Sequence, residues 1–361
     1  MGKESFFFYL SRLGTFLMKL FSKIGEGGVT MEKFVTGNAT FAFLEPRRKH
    51  SLARRFHDLL VNLYYTLRIR LTTPMRNEKR KFHISLCTMF KDETPYLREW
   101  IEFHRIVGVD HFYMYNNNSS DGFEKELAFY TKEGIVTLIP WTKEHAQVEG
   151  FEDCIRRFQG ESDWIGFIDV DEFLVPVEEE SLTTFLDRFA RCPSVFVYWR
   201  FFGSNGMLSR DRSRLVTEDF VVASEKLYGY GKSFFNSNYD YLWNSDRNRT
   251  MFHRLWTVYH GKALPPTDMF GRAMIGNWPR PAGTKKIPIQ LNHYAIKSLE
   301  EHRDKDKKGD VFFDHPTHGD SVFFNRDLRC NVPDYRIYKY LSTLKYRLAE
   351  IEKRSAEISD G

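Results

Sequence analysis

From residue 83 onward, apolar positions fall into short runs alternating with helical spacings, and their order predicts an α/β domain. Residues 83–90 (His-Ile-Ser-Leu-Cys-Thr-Met-Phe) form a strand-like run. The next residues, Lys91-Asp92-Glu93-Thr94-Pro95, open a helix predicted to reach Val107, with Thr94 as cap, Pro95 in the first turn and Gly108 as the stop. Residues 111–115 give a second strand, and 116–122 (Asn-Asn-Asn-Ser-Ser-Asp-Gly) a loop built from turn formers. A helix ending at Lys132, a strand over 135–139 and a helix over 147–158 complete the pattern. Strands alternating with helices through short connections predict a mainly parallel sheet covered on both faces. Ligands of such a sheet bind outside the carboxyl ends of its strands.

The next run, Trp164-Ile165-Gly166-Phe167-Ile168, passes directly into Asp169-Val170-Asp171-Glu172-Phe173. An apolar run ended by acids reads as a buried strand surfacing at its C-terminal end. If the strand geometry continues, Asp169 and Asp171 point to one side and Val170 to the other. Two carboxylates on one side are a hard oxygen site for Mg2+ or Mn2+. An isolated D-x-D is more often a solvated turn. Here Lys91-Asp92-Glu93 and the 116–121 loop bring polar clusters to the same rim, which favours a ligand site.

Beyond residue 190 the pattern loosens. Residues 195–202 read as a strand, 234–283 as an irregular acceptor-binding lobe, and 287–291 as a strand ended by Asn292-His293-Tyr294. Helices are predicted over 298–307 and 335–358.

The composition, 42% hydrophobic with 33 Phe and 18 Tyr, supports a substantial core and excludes global disorder. The net charge is only +5, but eleven Lys and Arg stand between residues 46 and 81 against Asp58 and Glu78. Leu59, Leu60, Leu63, Leu67 and Leu71 interleave that block, which favours an anionic membrane surface over nucleic acid. Near the N-terminus Leu10, Leu13, Leu17, Leu20 and Ile24 keep a three-four spacing, with Arg12, Lys19 and Lys23 off the stripe. That is the pattern of a helix lying on a membrane rather than crossing it. The expected organisation is a basic amphipathic attachment region over 1–80, a catalytic domain over 81–310 and a C-terminal helical extension over 311–361. The four cysteines are scattered, with no metal-type spacing, and fit a reducing setting. A cytoplasmic protein, peripheral at the inner membrane face, is the expectation.

Several motifs in order resemble glycosyltransferase family 92. They are Phe90-Lys91-Asp92-Glu93; Tyr96-Leu97-Arg98-Glu99-Trp100 with His104 and Gly108; the 115–121 loop; Gln147 with Asp153-Cys154; and the run from Trp164 to Phe173. Phe202-Gly203-Ser204-Asn205-Gly206, Gly231-Lys232-Ser233 and Asn292-His293-Tyr294 are similar to later landmarks. Asp92 stands where that group usually has Asn. The resemblance covers roughly residues 83–310 and implies the nucleotide-diphospho-sugar transferase (GT-A type) fold and a nucleotide-sugar donor. A UDP-sugar is favoured as that donor, often carrying galactose, with a glycan or glycolipid acceptor.

On that reading Asp169 and Asp171 hold the cation, and His293, lifted by the resemblance, completes its shell. Lys232 and Lys297 are candidate phosphate contacts by charge. Asp92, Glu93, Asn116 and Asp121 are candidates for base and ribose, with turn chemistry the competing account of the 116–121 loop. Inversion at the anomeric carbon requires a base, for which Glu218, Asp219 and Asp268 are candidates. Rival readings of the acidic pair are a haloacid-dehalogenase-like phosphatase, a nucleotidyltransferase and a non-catalytic membrane scaffold. Phe173 stands where such a phosphatase has Thr or Val, and residues 90–95 lack the glycines of a nucleotidyltransferase loop.

Overall fold

The computed structural model describes residues 52–71, 79–245, 248, 252–275, 286–309 and 319–359. The amphipathic pattern of residues 10–24 and the basic residues Arg47, Arg48, Lys49 and Arg76 lie outside these. In chain order the first half comprises α1 (Leu52–Leu71), β1 (Phe82–Phe90), α2 (Thr94–Ile106), β2 (His111–Asn116), α3 (Phe123–Lys132), β3 (Val136–Pro140), α4 (Gln147–Phe158), β4 (Ser162–Phe167) and β5 (Glu172–Pro176). Then come α5 (Leu182–Asp187), β6 (Ser194–Phe201), α6 (Val216–Asp219), β7 (Val222–Ser224), β8 (Gly231–Asn236) and the short strands β9 (Asp240–Tyr241), β10 (Thr257–Tyr259), β11 (Lys262–Leu264) and β12 (Thr267–Asp268). The chain continues through β13 (Ile289–His293), α7 (Leu299–Lys308), α8 (Asp320–Asp327), β14 (Cys330–Pro333), a 3-10 turn (Arg336–Tyr340) and α9 (Leu341–Ser359).

The main sheet runs β3-β2-β1-β4-β8-β6-β13-β5, with β12 beside β6. Strands β3, β2, β1 and β4 are mutually parallel, as the alternation predicts, while β8 lies antiparallel between β4 and β6. Alternate residues of β1 enter separate cores: Ile84, Leu86 and Phe90 join one, Cys87 and Met89 the other. This is what covering both faces of a strand requires. Gly231 begins β8 because the strands touch there: a Cβ would sit 1.8 Å from the Val197 carbonyl oxygen.

Three expectations shift. Helix α2 begins at Thr94, so Glu93 takes the cap position, without a side-chain cap bond. The segment 234–283 is less irregular than expected, carrying the three-stranded sheet β11-β10-β9 and strand β12. The C-terminal stretch is helical but shares the main core through Ile337, Leu344 and Ile351, and β14 pairs with β7. No helix among the described residues is long and apolar enough to cross a membrane.

Candidate functional site

The two aspartates are not strand residues. Strand β4 ends at Phe167 and β5 starts at Glu172, so Asp169 and Asp171 occupy the tight turn between them. The physical reason is Glu172, whose fully buried side chain folds back: its Oε2 accepts from the Asp169 N–H at 2.9 Å and its Oε1 from the Trp199 indole at 2.6 Å. The Glu172 N–H in turn donates to the Asp169 carbonyl at 3.1 Å. Burial raises the Glu172 carboxyl well above its ordinary range, with Lys232 opposing.

A second layer fixes this turn from behind. The Trp100 indole N–H is shared between the carbonyls of Asp169 (3.1 Å) and Glu172 (2.9 Å). His104 Nδ1 lies 2.8 Å from the Trp100 carbonyl, which can only accept, so Nδ1 carries the proton and Nε2 accepts from the Leu174 N–H at 3.2 Å. Burial pushes this imidazole down to about 3, so it is neutral at physiological pH. Glu99, buried on the same helix, accepts from the Val216 and Thr217 N–H groups and the Thr217 hydroxyl. Glu99, Trp100 and His104 thus position the acidic turn and α6 from one helix.

The aspartates face fixed cations. Asp169 Oδ2 accepts from Lys232 Nζ at 2.8 Å and Oδ1 from the Gln147 amide at 2.9 Å. Asp171 Oδ2 accepts from Lys305 Nζ at 2.6 Å, and His293 Nε2 lies 3.6 Å from its Oδ1. Burial works to raise the Asp171 carboxyl, but Lys305, His293 and Lys297 outweigh it and hold it well below the usual range. Burial lowers His293, with Asp171 opposing, while Lys305 is the fixed cationic partner of Asp171. Lys232 stays charged: burial lowers it, yet Asp169 and Glu172 raise it by more.

Beside this turn lies a cavity of about 180 Å3 whose lining includes Asp92, Glu93, Tyr96, Lys297, Lys305 and Lys308. Lys297 is buried, its ammonium 4.3 Å from the centre of the Tyr96 ring, and burial lowers it against the pull of Glu93 and Asp171. Asp92 and Lys297 both adopt left-handed backbone, with φ of 51° and 49°. Such strain in non-glycine residues concentrates at ligand sites. Glu93 pairs through Oε1 with Lys308, while its buried Oε2 has no hydrogen-bond partner.

With this geometry, sequence comparison is decisive. The model of glycosyltransferase family 92 matches residues 80–267, which is 188 of 361 residues. The chain belongs to glycosyltransferase family 92. A family 92 protein of Arabidopsis thaliana is 40% identical over 96 residues, 26% of this chain and 16% of that protein. One of Oryza sativa subsp. japonica is 37% identical over 121 residues, 32% of this chain and 20% of the relative. A beta-1,4-galactosyltransferase of Caenorhabditis elegans is 34% identical over 89 residues, 22% of this chain and 21% of the relative. The chain thus spans about a fifth of the length of the curated relatives it matches. Among solved structures, Staphylococcus aureus TarS 1-349 has a TM-score of 0.30 and 9% identity, covering 43% of this chain and 47% of that one. Mycobacterium tuberculosis glucosyl-3-phosphoglycerate synthase, in complex with Mn2+ and UDP, has a TM-score of 0.24 and 14% identity, covering 33% and 44%. Both likenesses are too slight to argue from.

The remaining candidates of this family 92 chain separate clearly. Asn116 Oδ1 accepts from the Ser119 N–H, a local turn bond. Asp92 Oδ1 accepts from the Ser120 N–H and Asp121 Oδ2 from the Thr94 N–H, so the two carboxylates tie neighbouring loops together. Glu93 is the one of these four with a buried, unpaired acceptor. Lys232 meets Asp169 instead of standing free for phosphate. Asp219 is held between Arg210 (3.2 Å) and Arg214 (2.7 Å), and Glu218 pairs with Lys345. Asp268 closes its own turn through the Phe270 and Arg272 N–H groups and pairs with Arg272; it lies level with Phe196, well short of the end of β6. These three carboxylates are engaged in holding the structure, and none lines the cavity.

Gln147, Lys305 and Lys308 reach the site without having been assigned a role from the sequence. The lysines sit in the strongly charged run Glu300-Glu301-His302-Arg303-Asp304-Lys305-Asp306-Lys307-Lys308, where nothing marks one from another. His253, buried, donates from Nδ1 to the Gly231 carbonyl at 2.6 Å, and burial pushes it down to about 3. Among the described residues no group of three or more His, Cys, Asp or Glu forms a self-contained cation site. The donor set still fits a hard divalent ion shared with a substrate: Asp171 is held ionised, and the Oδ1 of Asp169 accepts from the neutral Gln147 amide.

Proposed function

We propose that this chain transfers a hexose, galactose before others, from a nucleotide-diphosphate sugar to a saccharide acceptor, with Mn2+ or Mg2+ required. The observation that carries the reading is the pairing of an ionised, immobilised acidic turn with a lysine-lined cavity immediately beside it. Departure of a nucleoside diphosphate places negative charge on the leaving oxygen, and a site aimed at that charge needs fixed cations held in advance. Lys297, Lys305 and Lys308 supply them. The buried Lys297 lacks a carboxylate partner within ion-pair distance among the described residues, so a phosphate oxygen there recovers solvation that burial removed.

Asp169 and Asp171 are the residues that would hold the cation, with His293 beside them. When bound, the ion neutralises charge on the diphosphate as the sugar bond breaks. The chain's own contribution is positional: Glu172 and Trp100 fix the turn, and Gln147 and Lys232 orient Asp169. Glu93 Oε2, buried and unpaired, suits a hydroxyl or N–H donor of the nucleoside. A UDP-sugar is the favoured donor, and the preference for galactose as its sugar is supported by the beta-1,4-galactosyltransferase among the similar proteins. The phosphatase alternative needs Asp169 as a free nucleophile, whereas both its oxygens accept hydrogen bonds.

The test is nucleotide release from UDP-galactose, UDP-glucose and UDP-N-acetylglucosamine, with Mn2+ or with chelator. Mn2+-dependent UDP release from one of them, abolished in Asp169→Asn, is expected. Release of inorganic phosphate instead, or UDP release indifferent to chelator, would overturn the proposal.

A further inference from the structure

The site occupies one edge of the sheet, and the opposite edge carries a different surface. Strands β1 and β4 are parallel, and β6 runs the same way because β8 lies antiparallel to both β4 and β6. Their C-terminal ends approach the acidic turn; their N-terminal ends form the base of the molecule. Helix α1 docks there. The Ala273 N–H donates to Thr66 Oγ1 at 3.4 Å, and Arg191, just before β6, reaches the Arg70 carbonyl at 3.5 Å. Ala273 bridges Thr267, which pairs with Val195 near the start of β6. Ile69 is buried at this junction.

The other face of α1 is apolar and open. Phe56, Leu59, Leu63, Leu67 and Leu71 are 57%, 62%, 53%, 45% and 49% exposed. Their spacing of three, four, four and four residues places them in one stripe along the helix. Around it the charge is positive: Arg68 and Arg70 lie in the last turn of α1, and Lys79, Lys81 and Arg191 are exposed at the same edge. Lys79 and Lys81 also line an open recess of about 690 Å3. Of the described acids at this edge, Asp163 pairs with Arg80 and His83, Asp187 with His83, and Asp110 accepts the N–H groups of His83 and Ile84.

We infer that this base is a docking face for an anionic lipid bilayer, with the leucine stripe in the interface and the lysines and arginines on headgroup phosphates. The charge decides for an anionic bilayer over a second copy of the chain, which would bring a second positive base against the first. A stripe of apolar residues with basic flanks is the pattern of a helix lying in a membrane interface. The consequence is orientation. Strand β6 spans eight residues, roughly 25 Å at about 3.3 Å each, between the base and the site. The site therefore opens away from the bilayer, toward an acceptor reached from solvent rather than a short saccharide on a lipid of the same leaflet. The docking stands independently of the transfer reaction proposed above.

The test is flotation of the full chain with phosphatidylcholine vesicles, with and without phosphatidylglycerol. Binding only to the anionic vesicles is expected, weakened at least about tenfold in Leu59→Ser/Leu63→Ser/Leu67→Ser and in Lys79→Glu/Lys81→Glu, with melting temperatures unchanged. Absence of binding, equal binding by the leucine variant, or binding of duplex DNA in place of vesicles would overturn the inference. So would a leucine variant that turns a dimer into a monomer and still floats. For orientation, a fluorophore on Leu63→Cys should be quenched by spin-labelled lipid, and one on Leu208→Cys, exposed beside the start of α7, should not. Equal quenching at both positions would refute the orientation.

Discussion

Replacing Trp100 by Phe tests whether the acidic turn is placed from behind. The indole N–H bridges the carbonyls of Asp169 and Glu172 at 3.1 and 2.9 Å, and the ring is fully buried. The Asp169 carbonyl keeps its bond from the Glu172 N–H, so the loss falls mainly at the Glu172 carbonyl. Leaving one buried acceptor short costs about 1–3 kcal/mol. The smaller ring adds roughly 1 kcal/mol of lost packing. Together, about 2–4 kcal/mol should lower the melting temperature by roughly 4–12 °C. Outer partners of metal ligands typically contribute about 10–100-fold to metal affinity. Titration of UDP with Mn2+ well below the transition should show a loss of that order. Ile101→Val, on the same buried helix, should lose about 1 kcal/mol and leave nucleotide affinity unchanged. If Trp100→Phe melts early but binds Mn2+ and UDP as tightly as Ile101→Val, the tryptophan is a packing residue and the positioning argument fails.

Lys297→Met should weaken UDP roughly tenfold while leaving uridine binding unchanged, and should not reduce stability, because it removes a buried charge lacking an ion-pair partner among the described residues; isothermal titration and thermal melting read the two effects. Glu99→Ala strands the Val216 and Thr217 donors and should lower stability by about 3 kcal/mol in urea unfolding, with Glu99→Gln recovering part of it. His104 has an ordinary value of 6.5 unfolded and about 3 folded, so its stabilising contribution is complete above about pH 6.5 and is lost as pH falls toward 3. His104→Gln should accordingly lose stability less steeply between pH 6 and 4, by about 1.4 kcal/mol per pH unit, in urea midpoints compared with the parent chain. Gly231→Ala should abolish soluble expression, since its Cβ would collide with the Val197 carbonyl.

Regular periodicity made the first half of the fold legible. Helix α4 falls where its spacing predicts, and strands β1 to β3 agree within one residue, because each buries a face whose period is visible in sequence. The turn at Asp169 was not legible as a turn. Its apolar flanks read as one continuing strand, and the reversal depends on Glu172 meeting Trp199, a residue 27 positions away. Short strands such as β9 to β12 have too few residues for any period to show. Among site residues, Asp169 and Asp171 stood out because carboxylates ending an apolar run are unusual. Lys305 did not, since its role comes from where α7 lands, 134 residues beyond Asp171. The acids Asp219 and Asp268 were attractive as bases by residue type alone. Their partners Arg210, Arg214 and Arg272 come from folded geometry that a local motif does not display.

The central claim is that the acidic turn and the lysine cavity together bind a nucleoside diphosphate through a divalent ion. Calorimetric titration of UDP and GDP, with and without Mn2+, on the parent chain and on Asp171→Ala tests it most directly. UDP binding that requires Mn2+ and disappears in the variant is the predicted result. Folded protein that binds neither nucleotide, or binds UDP equally without Mn2+ and without Asp171, would contradict it.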